Sequence, residues 1–179
     1  MVEYRGYGKT DGWLSEKKLY ADADAAWDFV VSREKVKAKN VIVVGQSVGT
    51  GIAAYLASTH QPKALVLLSG YSSLQERAVE TPIFGVLARW FFRYTFPTTQ
   101  YLGSLTNTCV VLAHGKQDNI IWFEHLDRLT QALPPKLKKR IVTSEKAGHN
   151  DLLFVSTPEI SEAVVSCLDY GGKLGIFAR

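Results

Sequence analysis

The sequence predicts an α/β domain with a mostly parallel sheet flanked by helices, and three observations carry that prediction. Short, uniformly apolar runs recur along the chain, helical patterns separate them, and a glycine–serine–glycine turn joins one run directly to the helix after it. Val41-Ile42-Val43-Val44 is the first run. It is β-branched throughout, the signature of a parallel strand covered on both faces. Ala64-Leu65-Val66-Leu67-Leu68 and Cys109-Val110-Val111-Leu112-Ala113 are the second and third, and Arg140-Ile141-Val142-Thr143 is a weaker fourth.

Helices are expected between the runs. From Tyr20 to Lys35, Ala23, Ala26, Trp27, Val30 and Val31 recur at helical spacing, with Asp22, Asp24 and Asp28 left for the surface. Gly51 to Thr59 is small and apolar, as a helix packed closely on a sheet must be. Phe123 to Leu133 is amphipathic and stops at Pro134-Pro135. Pro158 opens a last helix that runs to about Tyr170, where Gly171-Gly172 ends it. Residues 72–104, between the second and third strands, are too long for a plain crossover. They carry Phe84, Trp90, Phe91, Phe92, Tyr94 and Phe96, and read as a helical insertion or lid within one domain spanning 1–179.

Composition narrows the function. The chain has 179 residues, 46% hydrophobic and 21% charged, which excludes a disordered, collagen-like or coiled-coil protein. A net charge of +4 without a clustered patch gives no case for a nucleic-acid partner. Pro135-Lys136-Leu137-Lys138-Lys139-Arg140 is the one basic run and reads as a solvated turn, with a contact at an anionic membrane surface as its alternative. No apolar stretch reaches the roughly 18 residues of a membrane span, and Met1 to Gly6 do not form a signal peptide. A cytoplasmic or peripheral-membrane location is the expectation. Cys109 and Cys167 both sit in apolar runs and read as buried free thiols rather than a bridge.

Chemistry concentrates at the ends of the predicted strands. Gly45-Gln46-Ser47-Val48-Gly49 follows the first strand at once and opens a small-residue helix, the strand–turn–helix setting of a G-x-S-x-G nucleophile elbow. Side chains at Gly45 and Gly49 are expected to collide with the adjoining strand and helix. A phosphate loop is excluded, because the glycines fit neither G-x-G-x-x-G nor a Walker motif. A serine hydroxyl needs a base to take its proton, and that base needs an orienting acid. Asp118, in the loop after the third strand, and His149, in the loop after the fourth, supply them in the order Ser…Asp…His. His114 shares the acid's own loop and is assigned a supporting role. His60 and His125 read as surface residues, and Asp151 as support for the histidine loop. No cluster has metal-ligand spacing and no cofactor is called for.

Taken together the pattern resembles the α/β-hydrolase superfamily, and within it the Bem46-like group that includes the α/β-hydrolase-domain protein depalmitoylases. Five stretches carry the resemblance: Tyr4-Arg5-Gly6-Tyr7-Gly8, Ser15 to Asp22, Gly45 to Gly51, His114 to Asp118, and Gly148-His149-Asn150-Asp151. The resemblance implies Ser47 as nucleophile, Asp118 as acid, His149 as base and the Val48 N–H as one oxyanion donor. It implies acyl esters or thioesters, S-palmitoylated proteins included, as substrates. Peptidase-S33-type domains overlap the group, but nothing in the residues argues for peptide cleavage.

The same resemblance implies that strands are missing. In the family the R-G-Y-G segment follows the fourth of eight strands, and here only Met1-Val2-Glu3 precedes it. An N-terminally truncated fold is therefore expected, the product of a shortened gene model, a splice form or a fragment. The usual second oxyanion donor would be absent, and Val41 to Val44 would become a sheet edge. The expected function is a serine hydrolase acting through an acyl-enzyme. The alternative is a catalytically inactive remnant or interaction module.

Overall fold

A computed structural model describes residues 4–6, 8, 10–80 and 94–168 of the chain. In order it runs α1 (Glu16–Asp28), β1 (Ile42–Gln46), α2 (Gly49–His60), β2 (Ala64–Leu68) and α3 (Leu74–Val79). It continues with α4 (Thr98–Gly103), β3 (Cys109–Gly115), α5 (Glu124–Ala132), β4 (Lys139–Ser144), α6 (Leu152–Val155) and α7 (Thr157–Leu168). Among the described residues the sheet has four parallel strands in the order β1-β2-β3-β4, so each helical crossover leads to the neighbouring strand. All four predicted strands form. The first helix begins earlier than its pattern suggests, because the Ser15 side chain caps it by accepting from the Lys18 N–H at 3.3 Å.

Period-two alternation divides the core between the two faces of the sheet. Leu65, Leu67, Val110 and Leu112 pack against Ala53, Ala54 and Ala57 of α2, Leu102 of α4 and Leu126 and Leu129 of α5. The intervening Ala64, Val66, Cys109, Val111 and Ala113 face Ile160, Ala163 and Cys167 of α7. A third cluster, with Leu19, Ala23, Ile52, Tyr71, Phe96 and Ile121, joins α1, α2 and the loops at the C-terminal ends of β2 and β3.

The expectation for the cysteines is corrected by the packing of α7. Cys109 and Cys167 are not free thiols: they form a disulfide between the start of β3 and the last turn of α7, with Cα atoms 5.6 Å apart. Each cysteine does lie in an apolar run, but both runs bury their cysteine on the same face of the sheet, which only the packing of α7 decides. The strand β1 lies at the sheet edge, as the resemblance implied, and lacks the two-sided cover that its apolar pattern alone suggested. Every residue of β2 and β3 is buried, whereas Val44 is 61% exposed, because β1 stands at the edge of the sheet. The sequence pattern of β1 is that of a central strand, and its neighbours are not.

An apolar groove of about 450 Å³ runs along that edge, lined among others by Ala26, Trp27, Val30, Val43, Val44 and Leu56. An uncharged strand at the edge of the described sheet, beside an apolar groove, invites pairing with another chain. The 179-residue chain is expected to elute as dimers or larger species in size-exclusion chromatography, and Val44→Lys to shift it toward monomer. An unmodified chain that stays monomeric at high micromolar concentration would contradict this.

Candidate active site

The chain enters the site through a strained turn. Ser47 directly follows β1 and has φ of 51°, a left-handed conformation that a side chain adopts only when its surroundings fix it. Those surroundings are visible. The Ser47 N–H donates to the Leu68 carbonyl at the end of β2 at 3.0 Å, while its own carbonyl accepts from the Thr50 N–H at 3.0 Å and Thr50 Oγ1 at 2.6 Å. In a planar trans peptide the N–H lies opposite the C=O, so these bonds turn the Val48 N–H away from Thr50. Tyr71 Oη fixes the next peptide by donating to the Val48 carbonyl at 2.9 Å.

The two glycines of the turn are not equivalent. A Cβ on Gly45 would stand 2.6 Å from both Ala53 Cβ and the Gly49 carbonyl oxygen, so only glycine fits. A Cβ on Gly49 would meet nothing within 4 Å, and the expected collision there does not occur. Gly49 borders the open groove beside β1, where no strand crowds it.

The acid and the histidine are brought together by the ends of β3 and β4. Their loops are stitched to one another: the Lys116 N–H donates to the Ser144 carbonyl at 2.8 Å, and the Gln117 N–H to the Ala147 carbonyl at 3.1 Å. Gly115 makes this approach possible, since a Cβ there would lie 2.1 Å from the Ala147 carbonyl oxygen. Asp151 Oδ1 accepts from the Gly148 N–H at 2.7 Å and shapes the histidine loop, while its side chain stays out of the acid's position.

The three residues singled out from sequence meet. His149 Nε2 lies 2.8 Å from Ser47 Oγ, and His149 Nδ1 lies 2.7 Å from Asp118 Oδ2. Asp118 and His149 are buried and Ser47 is partly exposed, so the serine is the member that solvent or a substrate reaches first. The other carboxylate oxygen, Oδ1, accepts from the Ile120 N–H at 2.9 Å and the Ile121 N–H at 2.8 Å. Burial alone would raise the Asp118 pKa. The nearby His114 N–H, its nitrogen 3.4 Å away, and the hydrogen bonds from the Ile121 N–H, His149 and the Ile120 N–H outweigh it and hold the carboxyl well below the usual carboxylate range.

An ionised Asp118 requires Nδ1 of a neutral His149 to carry the proton, which leaves Nε2 bare toward the Ser47 hydroxyl. Asp118→Asn is expected to leave the fold intact and to cut any turnover by about 10⁴-fold, because an amide can stabilise the wrong tautomer. Because the folded carboxyl titrates below its unfolded value near 3.9, it stabilises the fold above that pH, and the contribution fades as pH falls toward the folded pKa. The stability gap between wild type and Asp118→Asn in urea should therefore narrow below about pH 4.

A second serine–histidine–acid chain lies nearby and differs in one respect. His125 is not a surface residue: it is 1% exposed, with Nδ1 accepting the Ser72 N–H at 3.2 Å and Nε2 lying 2.9 Å from Glu80 Oε2. Its amphipathic helix turns this residue inward toward the β2–α3 loop. Burial pushes the imidazole pKa down, and the Glu80 carboxylate opposes that only in part. Ser72 is itself buried and its hydroxyl donates to Glu76, so this chain ties α3 to α5 and offers no exposed nucleophile. His60 does lie nearer the surface, stacked on Trp27 and 3.1 Å from Asp24.

The family-like N-terminal segments also acquire physical roles that sequence reasoning left unassigned. Arg5 Nε donates to both oxygens of Asp22 at 2.9 Å, fastening the first loop to α1. Glu16 accepts from the Thr95 N–H at 2.7 Å and the Phe96 N–H at 3.0 Å, fastening α1 to the exit of the aromatic insertion. Of that insertion, Phe84, Trp90, Phe91 and Phe92 lie outside the described residues. Lys138 and Arg140 of the basic run bond Ser166 at the end of α7, the Arg140 Nε at 2.8 Å from Ser166 Oγ. Among the described residues no group of His, Cys, Asp and Glu could hold a metal ion, and no helix is long and apolar enough to cross a membrane.

A family model described as the alpha/beta hydrolase fold matches residues 1–87. The chain superimposes on an alpha-beta hydrolase from Vibrio vulnificus with a TM-score of 0.74 and 22% identity, over 92% of this chain and 61% of that one. This chain has the α/β-hydrolase fold. A similar match is an esterase from Exiguobacterium antarcticum, with a TM-score of 0.61 and 18% identity over 93% of this chain and 80% of that one.

In sequence this chain is similar to alpha/beta hydrolase domain-containing protein 17C of Homo sapiens, 35% identical over 150 residues, which cover 84% of this chain and 43% of that protein. It is likewise 32% identical over 154 residues to alpha/beta hydrolase domain-containing protein 17B of Xenopus laevis, covering 84% of this chain and 49% of that protein. The hydrolase-fold chain thus spans less than half the length of both relatives.

Proposed function

We propose that this chain carries the catalytic residues of a serine hydrolase that cleaves acyl esters or thioesters through an acyl-enzyme. The observation that carries the reading is the continuous hydrogen-bonded path Ser47 Oγ–His149–Asp118, with the serine partly exposed on a strained turn. Ser47 Oγ attacks the acyl carbonyl as His149 Nε2 takes its proton, and Asp118 stabilises the imidazolium that forms. The Val48 N–H, oriented by the Thr50 bonds to its own peptide, donates to the oxyanion. His149 then protonates the leaving alcohol or thiol, and water, deprotonated by His149 in turn, hydrolyses the acyl-serine.

Exposed apolar side chains close in sequence to the reacting residues support an apolar acyl chain as the substrate's recognised part. Val48 beside Ser47, Ile120 and Trp122 after Asp118, and Leu153 and Phe154 after His149 are all between 41% and 89% exposed. The resemblance to the depalmitoylase group adds S-acylated proteins as the finer substrate class. An inactive interaction module is the competing reading.

Labelling with a fluorophosphonate, followed by mass mapping, separates the two: adduct at Ser47 supports the hydrolase, and a folded chain that resists labelling sinks it. Substrate length is tested separately. Each buried methylene contributes about 0.8 kcal/mol, so Trp122→Ala and Phe154→Ala should slow octanoate esters several-fold more than acetate esters. Equal losses on both would show that these side chains do not meet the acyl chain.

A further inference from the structure

His114 is the penultimate residue of β3, wholly buried, with its ring edge-on to Phe123 at 6.0 Å. Its Nε2 stands 2.9 Å from the Ile121 carbonyl oxygen and 3.4 Å from Asp118 Oδ2. Both are acceptors, so Nε2 carries the proton. Nδ1 is buried without a hydrogen-bond partner. With Nδ1 unpartnered, the polar contribution of the imidazole is its single Nε2–H.

That N–H bonds the Ile121 carbonyl and also stands close to the acid. Asp118 Oδ1 is held by two backbone N–H groups, which set the position of the carboxylate but leave rotation about its axis to be decided at Oδ2. Oδ2 has His149 on one side at 2.7 Å and His114 on the other at 3.4 Å. The same Nε2 bonds the carbonyl of Ile121, whose N–H reaches Asp118, so one imidazole touches both the acid and the peptide that cradles it.

We propose that His114 is a positioning residue: with its Nε2–H bonded to the Ile121 carbonyl and standing 3.4 Å from Asp118 Oδ2, it fixes the orientation of Asp118 that receives His149 Nδ1. The proposal rests on the triad reading above, and its test is built to fail separately from it. The readouts are fluorophosphonate labelling of Ser47 and the far-downfield proton resonance of His149 Nδ1–H, the second recorded on the Ser47→Ala chain so that it needs no catalysis.

His114→Leu should fold, yet label at least tenfold more slowly and lose or broaden the Nδ1–H resonance. His114→Gln, whose amide nitrogen reaches about as far as Nε2, should restore most of both. Labelling and resonance unchanged in His114→Leu would overturn the proposal, as would equal losses in Leu and Gln variants of unaltered fold. Should His114→Leu fail to fold, His114→Gln decides: a sharp downfield resonance supports the assignment and its loss refutes it. Absence of Ser47 labelling in the wild-type chain would count against the hydrolase reading, while the resonance would still judge His114.

Discussion

Replacing Ser47 by alanine is expected to abolish fluorophosphonate labelling and to lower hydrolysis of a short acyl ester by about 10⁴-fold or more. The reason lies in the connectivity of the site. Ser47 Oγ is the one oxygen within 2.8 Å of His149 Nε2 among the hydrogen bonds the described residues make, and no neighbouring hydroxyl shares that contact. His149→Ala should do nearly as much damage, since the serine then keeps its proton. The double variant should be scarcely worse than either single one, because residues that act as a unit lose their effect together. Esterase turnover and labelling rates on purified variants of matched melting temperature check all three statements. Residual turnover above one per cent in Ser47→Ala would move the nucleophile elsewhere.

Reducing the Cys109–Cys167 disulfide is the change expected to cost the fold most. The bond closes a loop across 58 residues, and the loss of that constraint on the unfolded chain corresponds to about 4 kcal/mol. For a chain of this size the melting temperature should fall by about 10 °C with a strong reductant. Cys167→Ser should reproduce the fall without reductant and be insensitive to adding it. Alkylation of the native, unreduced chain should modify neither cysteine, as both sulfurs are paired and buried. Identical melting curves with and without reductant would remove the bond from the account. Such bonds persist in oxidising surroundings, which makes the stability of this fold a function of redox conditions.

Several parts of this molecule were legible before any coordinates, and each has a local cause. The strands at β2 and β3 were readable because a parallel strand buried on both faces tolerates little besides apolar residues. Ser47 was readable because the elbow demands glycine at position 45, where a Cβ would strike Ala53. Asp118 and His149 were readable because parallel strands deliver their loops to one end of the sheet, in chain order. All three are properties of short stretches.

What was not legible depended on partners distant in the chain. Nothing in the runs around Cys109 and Cys167 says that α7 lays one sulfur against the other; the packing of that helix on β3 decides it. His125 looked solvent-facing because an amphipathic helix has two sides and only the neighbouring Ser72 and Glu80 fix which one turns inward. The clash assigned to Gly49 failed because it required a neighbour that β1, as an edge strand, lacks. The sequence by itself determined the element order, the sheet type and the identity of the three residues that meet. The tertiary structure alone decided which faces are buried and that the two cysteines join, because those are set by contacts between segments whose separation along the chain carries no local signature.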